Sequence, residues 1–370
     1  MRALLRLAAI AIAGTTLYYA GIVNAIVIYE PSRPGAVAVV AGIAAALGLL
    51  ILALTGTGRD DATAPPVRRF LWPMRAAWLL VSIMVLVSLA WLYGAPRAKS
   101  FDWTPYHNDA IALNECAARL ALEGRNPYAE LDLFDCYGRL GIGPDRTTPL
   151  RRGLFADVAI YPDDDRLDAA WAARTSGEGE NTEFVWRPSY PALSFIAIAP
   201  WVALGWDTNV LYLFCLLAAM ALVLVRARPD LRPFLLTGLL GAPCLVAFTV
   251  GGSSDLLYAL PLTAAWLWRE RRWSALAYGL AASVKQIAWF FAPFYLIQVV
   301  ATAGWREAAR RAALAAAVFA ATNAVHLLAD PAAWLAGVLT PLAEPMFPRG
   351  AGAVFLSTNG VLPLLPGAAY

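Results

Sequence analysis

The sequence predicts an all-α polytopic membrane protein, and three observations carry this prediction. Sixty per cent of the 370 residues are hydrophobic, 15 per cent are charged, and the mean hydropathy is +0.57. Soluble domains are about 45–50 per cent apolar and about 25 per cent charged. The apolar residues also form separate stretches near the length of a membrane-spanning helix, about 20 residues. This composition excludes a disordered chain and a nucleic-acid-binding module, and no nucleic-acid partner is expected.

Apolar stretches occupy the chain on both sides of one polar segment. Residues 96–188 have no apolar run of membrane length and carry 11 basic and 16 acidic residues, whereas the remainder carries 18 basic and 10 acidic residues. We therefore divide the chain into N-terminal transmembrane helices (1–95), an extracytoplasmic loop (96–188) and a transmembrane helix bundle (189–370). The predicted spans are 4–29, 35–55, 76–95, 189–206, 209–225, 233–250, 256–268, 274–302 and 308–328, and a final apolar piece covers 351–370.

Positive charge in short loops marks the cytoplasmic side of a membrane protein. Arg2 and Arg6 place the N-terminus inside, so the loop 96–188 lies outside after three spans. The stretch 274–302 has Arg-rich flanks at both ends, which predicts a short helix out, a turn at Lys285 and a longer helix back. For 189–225 two interpretations remain open: one of its two apolar pieces is not a full span, or the following Arg-rich loop is an exception. The Arg clusters predicted inside are Arg226/Arg228/Arg232, Arg269/Arg271/Arg272 and Arg306/Arg310/Arg311.

The extracytoplasmic loop contains one predicted amphipathic juxtamembrane helix, 110–123, which could lie along the membrane surface. Asn108 or Asp109 begins it, and Gly124 ends it because glycine suits the position after a helix. Cys116 and Cys136 form a disulfide or remain two free thiols, and both alternatives stay open. Residues 130–185 are interpreted as loop-rich, and the acidic run at 163–165 as a solvated stretch rather than a cation site.

Polar residues within or beside apolar segments are costly and tend to be functional. The predicted topology brings several of them to the outer side, which predicts an outward-facing site. Purely structural roles are the alternative. Asp109 and Asp255 would cap helices and Lys285 would pair with Asp255. His326 and Asn323 would form hydrogen bonds between helices. With two histidines and no zinc spacing or nucleotide-binding loop, neither a metal nor a cofactor is expected. The residues brought together are Asp109, Asp255, Lys285, Gln286, Asn323, His326 and Asn359.

Several short motifs in this frame resemble those of one superfamily. Asn108-Asp109, Ala117-Ala118 and Gly124-Arg-Asn-Pro-Tyr128 resemble the first external loop of the GT-C membrane glycosyltransferases. The similarity is greatest to glycosyltransferase family 87, the polyprenol-phosphate-mannose-dependent mannosyltransferases. Tyr190-Pro191 resembles the point where that loop re-enters the membrane, and Ala282-Ser-Val-Lys285-Gln resembles a turn of small residues followed by Lys.

The resemblance implies a GT-C-like helix bundle that transfers a mannose-like hexose from a polyprenyl-phosphate sugar, with inversion, outside a bacterial plasma membrane. Asp109 would be the general base and Lys285 would contact the lipid phosphate. Gln286, Asp255, Tyr190 and His326 complete the predicted substrate-binding set. The expected partners are the lipid-linked donor, a lipid or glycan acceptor and membrane lipids. Gln286 stands where Gly or Pro is commoner in the family.

Two further features depart from the family pattern. Two helices, 4–55, precede the expected first span, and the chain stops at Pro366-Gly-Ala-Ala-Tyr370 where family members usually continue, as expected of a C-terminally truncated member. Two other classes of function also compete. A transporter or lipid flippase would use Asp255 and Lys285 at a broken helix. In a non-catalytic partner of envelope assembly, neither residue would have a chemical role.

Overall fold

A computed structural model describes residues 32–55, 109–176, 183–227, 254–348 and 353–363, with isolated positions between 13 and 20. Within these ranges the regular structure is helical, and the β-structure consists of two isolated bridges. The spans predicted at 76–95 and 233–250, most of 4–29, the motif residue Asn108 and the end of the chain lie outside the described residues. The helices are α1 (Arg33–Thr55), α2 (Asp109–Leu122), α3 (Pro127–Glu130), α4 (Leu133–Leu140), α5 (Asp164–Thr175), α6 (Leu193–Ile196), α7 (Ala199–Ala203), α8 (Thr208–Arg226), α9 (Leu256–Leu267), α10 (Ser274–Val284), α11 (Ala292–Ala303), α12 (Trp305–Ala329), α13 (Pro331–Val338), α14 (Thr340–Ala343) and α15 (Ala353–Thr358).

Among the described residues, four helical segments are long and apolar enough to cross a membrane. They correspond to the spans predicted at 35–55, 209–225, 308–328 and the second leg of 274–302. These segments confirm the prediction of an all-α integral membrane protein. Helices are expected there because lipid offers no water to satisfy the hydrogen bonds of an irregular backbone. The four segments are Arg33–Ile51, Thr208–Arg226, Gln286–Ala303 and Trp305–Ala329.

The stretch 189–206 does not form the spanning helix that its hydropathy predicts. It contains the two short helices α6 and α7, of 4 and 5 residues, with a break between them. Pro200 lies in the first turn of α7 and Gly205 follows its end with a φ of 66°. Proline removes a backbone donor and favours the start of a new helix. Of the two interpretations left open for 189–225, the structure selects the first: one of the two pieces is not a span.

The helix 274–302 is broken at Lys285, as predicted. Lys285 has an extended backbone, with a φ of −152° and a ψ of 142°, and a 3-10 turn over Gln286–Phe291 precedes α11. Side chains satisfy carbonyls close to the break: Trp289 Nε1 donates to the Ala282 oxygen at 2.8 Å and the Tyr278 hydroxyl donates to the Ala288 oxygen at 3.2 Å. A broken helix at membrane depth is tolerated where such partners exist.

The helices end at two chemically different places. At one end, which we call the arginine end, Arg226, Arg269, Arg272 and Arg311 meet; Arg272 lies 3.1 Å from Glu307, and Arg226 donates to the Leu267 oxygen at 3.3 Å. At the other, which we call the Asp109 end, lie the first residue of α2, the break at Lys285 and the start of α9. The arrangement agrees with the charge pattern from which the sequence predicted two sides.

Helix α2 is packed on most of its sides rather than lying exposed on a surface. Its buried residues include Ile111 to Ala118 and Leu120, and among them is the charged residue Glu115. The Glu115 carboxylate accepts a hydrogen bond of 2.5 Å from the Thr208 hydroxyl at the start of α8. Cys116 is disulfide-bonded to Cys136 of α4, with Cα atoms 6.2 Å apart. The core of the Asp109 end therefore surrounds α2.

The described part of 130–185 contains two α-helices and two short 3-10 helices that the sequence interpretation missed. Asp132 begins α4 by accepting a hydrogen bond from the Phe134 amide at 2.9 Å, and Asp163 begins α5 by accepting one from the Arg166 amide at 3.0 Å. Carboxylates at such positions satisfy free amides of the first turn and interact favourably with the helix dipole. The acidic run is thus the start of a helix.

Two further contacts join pairs of helices, α10 with α12 and α15 with α1. A Cβ at Gly279 of α10 would lie 2.8 Å from the Ala315 oxygen of α12. Small residues permit such approach between membrane helices, where packing rather than the hydrophobic effect drives association. The described part of 351–370 includes α15, which packs Phe355 against Ala36 and Val39 of α1.

Candidate active site

Asp109 is the first residue of α2, and its carboxylate is half-buried. The Thr148 hydroxyl donates to its Oδ2 at 2.7 Å. Burial raises the pKa of Asp109, and the hydrogen bond from Thr148 and the charge of Lys285 act in the opposite direction. A carboxylate gains basic strength as its pKa rises, so burial at this position favours proton abstraction.

Thr148 lies on a segment that three backbone hydrogen bonds hold in place. Its oxygen accepts from the Val185 amide at 2.9 Å, the Leu150 amide donates to Glu183 at 2.7 Å, and the Arg151 amide donates to Pro345 at 2.8 Å. These contacts join three separate parts of the chain, so the position of Thr148 depends on the folded structure. Sequence reasoning missed it, since 130–185 carry no motif.

Lys285 is held between a carboxylate and an aromatic face. Its ammonium group pairs with Asp255 Oδ1 and lies 4.8 Å from the centroid of the Tyr190 ring. The side chain of Lys285 is 21 per cent exposed, whereas that of Asp255 is 46 per cent exposed. The structural alternative for Lys285, pairing with Asp255, is therefore present, and its partner faces solvent.

The loop that carries Tyr190 is fixed by side chains from three other elements. The Tyr128 hydroxyl donates to the Tyr190 oxygen at 2.7 Å, Gln286 Nε2 donates to the Ser189 oxygen at 2.6 Å, and Asn323 Oδ1 accepts from the Ala192 amide at 2.9 Å. Burial raises the pKa of Tyr190, and Lys285 lowers it. Tyr190 thus presents a rigidly held ring to Lys285.

Some predicted site residues contact neighbouring protein groups away from Lys285. Gln286 is buried and also donates to the Val338 oxygen at 2.6 Å, which ties the Tyr190 loop to α13. The His326 ring contacts Tyr128 and Phe195 edge to face, with centroids 5.7 and 5.2 Å away. Asn323 and Asn359 likewise make hydrogen bonds to neighbouring protein groups. These contacts are those of packing and support, and substrate binding by Gln286 and His326 stays a prediction.

The predicted residues that do come together are Asp109, Tyr190, Asp255 and Lys285. Asp255 and Lys285 form an ion pair and the Tyr190 ring lies against Lys285, while burial raises the pKa of Asp109 and the charge of Lys285 acts to lower it. We call these four residues the polar cluster. Tyr137, which is fully buried beside Cys136, is a further neighbour that the sequence did not indicate: burial and the charge of Asp109 raise its pKa well above the ordinary value.

The polar cluster combines a basic carboxylate, a cation and an aromatic face at one end of a helix bundle. Such a set can remove a proton, bind an anion and pack against the face of a ring. Among the described residues, no group of three or more His, Cys, Asp or Glu side chains is arranged to hold a metal ion.

Fold and site together define the protein as an all-α integral membrane protein with a polar cluster at the end of its helices opposite the arginine end. Comparison with models of known protein families, with curated proteins and with solved structures gives no match to this chain.

Proposed function

We propose that the protein is a glycosyltransferase of the GT-C type, most similar to family 87, that uses a polyprenyl-phosphate hexose such as mannose. The observation that carries the proposal is that a half-buried carboxylate, Asp109, and a cation paired at the helix break, Lys285, lie at the same end of a membrane helix bundle, where burial raises the pKa of Asp109 and the charge of Lys285 acts to lower it. A lipid-linked sugar has its phosphate and sugar at this depth, where the polyprenyl chain can remain in lipid. No nucleotide or other cofactor takes part in this scheme.

Asp109 begins the reaction by taking the proton of an acceptor hydroxyl. The acceptor oxygen attacks the anomeric carbon from the face opposite the phosphate, so that configuration at this carbon inverts. The bond between the anomeric carbon and the phosphate oxygen breaks, and its electron pair stays on the phosphate. A donor phosphodiester with one negative charge becomes a phosphomonoester with two, while Asp109 becomes neutral. Total charge is conserved.

Lys285 stabilises the charge that develops on the departing phosphate. A cation fixed before the reaction stabilises developing charge without the cost of reorganising solvent. Gln286 holds the loop that carries Tyr190, and the Tyr190 ring lies beside the ammonium group, so the ammonium keeps its place during the chemical step. Tyr190 also offers an aromatic face to the sugar. His326 is assigned to the substrate-binding region from its place next to Tyr128.

We infer that the Asp109 end faces outward from a bacterial plasma membrane, in the cell envelope, and that the arginine end faces the cytoplasm. Two features support this orientation: positive charge collects on the cytoplasmic side, and disulfides such as Cys116–Cys136 persist outside the cytoplasm. Labelling of a Ser176→Cys variant in intact cells tests it. Labelling only after permeabilisation would reverse the orientation.

Sugar transfer by the purified protein in nanodiscs tests the function. The donors are polyprenyl-phosphate mannose, glucose and galactose, with nucleotide-linked mannose as the comparison, and a membrane lipid and glycan extract supplies acceptors. We expect transfer from a lipid-linked hexose and none from nucleotide-linked mannose. Transfer should be lost in Lys285→Met. It should be retained in Arg310→Met, which alters an exposed residue of the arginine end. Transfer from the nucleotide sugar, or from none of the lipid-linked sugars, would contradict the proposal.

A transporter or lipid flippase is the second candidate, and the helix break beside an ion pair at Lys285 favours it. Broken helices with charged groups form substrate sites in transporters. Movement of a fluorescent polyprenyl phosphate across a liposome membrane, without chemical change, would support this alternative and not the transferase.

A further inference from the structure

The Lys285–Asp255 pair joins two side chains of unequal accessibility. Lys285 is largely enclosed, whereas nearly half of the Asp255 side chain is exposed, at 46 per cent. The carboxylate is therefore the more accessible member of the pair. An anion that approaches Lys285 from the accessible side of the pair meets the negative charge of Asp255.

The position of Asp255 is not explained by helix capping. It precedes α9 with a helical backbone, φ −65° and ψ −25°, and its side chain makes no capping hydrogen bond. A capping residue has an extended backbone and accepts from the first turn of its helix. The carboxylate is directed to Lys285 instead.

The proposed reaction changes the charge that Lys285 must hold. The donor phosphodiester carries one negative charge, and a phosphomonoester carries about 1.5 to 2 at pH 7. After transfer Asp109 is protonated, so it no longer competes for the cation. The product is then held more tightly than the donor, and tight product binding slows turnover.

We propose that Asp255 promotes release of the polyprenyl monophosphate product by competing with it for Lys285. This inference rests on the proposed function. Asp255 repels the doubly charged monoester more than the singly charged diester, because the Coulomb energy is proportional to the product of the charges. It also takes back the ammonium group as the phosphate leaves. Asp255 is therefore a positioning residue that acts through Lys285.

Binding of two lipid phosphates to the purified full chain in nanodiscs tests the inference. One is a polyprenyl monophosphate and the other is its methyl ester, a diester with a single charge. For Asp255→Asn we expect about tenfold tighter binding of the monophosphate, and a change of about threefold or less for the methyl ester, since solvent screens a half-exposed charge. Inhibition of transfer by the monophosphate must increase in the same proportion.

Asp330→Asn is the matched control, because asparagine also caps a helix start and Asp330 caps α13 at the same end. Its binding ratio should equal that of the wild type. Asp255→Ser removes the same charge with a smaller side chain, so it must give the same change if Asp255→Asn fails to fold. Equal tightening of both lipids, or weaker binding of the monophosphate, would overturn the inference. Absence of any transfer by the wild type would instead refute the proposed function.

Discussion

The two ends of the helix bundle each hold a cation with a carboxylate, yet they are built differently. At the arginine end, Arg311 is 5 per cent exposed in its side chain, pairs with Glu307 at 3.1 Å, and donates to the oxygens of Arg269 and Glu270. At the Asp109 end, Lys285 pairs with a carboxylate that faces solvent and otherwise contacts a ring face. The first cation is held by several protein acceptors, and the second pairs with a carboxylate that is more exposed than the cation itself.

The largest effect should appear when each cation is removed. Arg311→Met removes a largely buried guanidinium that donates to the Arg269 and Glu270 oxygens, and it leaves Glu307 paired with Arg272, so we expect a loss of about 2–3 kcal/mol in unfolding free energy. Lys285→Met leaves a half-exposed carboxylate that water can solvate, and the loss should be about 1 kcal/mol or less. Thermal unfolding followed by a thiol-reactive dye, which reaches the buried Cys215 on unfolding, measures both. Equal losses would erase the distinction between the ends.

The disulfide tests how firmly α2 is fixed at the Asp109 end. Replacing Cys116 and Cys136 by Ser opens a loop with a sequence separation of 20 residues and should lower stability by about 2–4 kcal/mol. Reductant should lower the melting temperature of the wild type to that of the double variant and leave the variant unchanged. If the disulfide were fully reduced and the melting temperature of the wild type did not change, the disulfide would have no stabilising role.

The smallest effect concerns the base itself. Thr148→Val removes a hydrogen bond that stabilises the ionised carboxylate, so the pKa of Asp109 should rise further. Because the ionised form is the active base, the acidic limb of kcat/KM against pH should move to higher pH. At pH 8, transfer rates of the variant and wild type should agree within about threefold. If the acidic limb of kcat/KM were unchanged, or moved to lower pH, ionisation of Asp109 would not control the rate of transfer.

The sequence predicted those parts of the fold that hydropathy and charge control. Arg-rich flanks on both sides of 274–302 required a break, and the structure has it at Lys285. The same predicted topology places Asp109, Asp255 and Lys285 at one end. Hydropathy alone was misleading at 189–206, because Pro200 and Gly205 interrupt an apolar stretch that is otherwise long enough to span.

Other features depend on tertiary contacts that no local pattern records. Thr148 reaches Asp109 because distant segments pair around it. Glu115 is buried because Thr208 supplies a hydrogen bond there, although its place on α2 suggests a polar face. Helices α4 and α5 are short and begin at acidic caps within a polar stretch, where apolar periodicity is too brief to be read.

Mannose transfer by an Asp109→Asn variant, at saturating polyprenyl-phosphate mannose, tests the central claim most directly. The amide has nearly the shape of the carboxylate but cannot accept the acceptor proton. The account predicts a rate about 10²- to 10⁴-fold below that of the wild type, with donor binding and thermal stability close to those of the Asp330→Asn control. Transfer at a rate within about threefold of that control would contradict the assignment of Asp109 as the base.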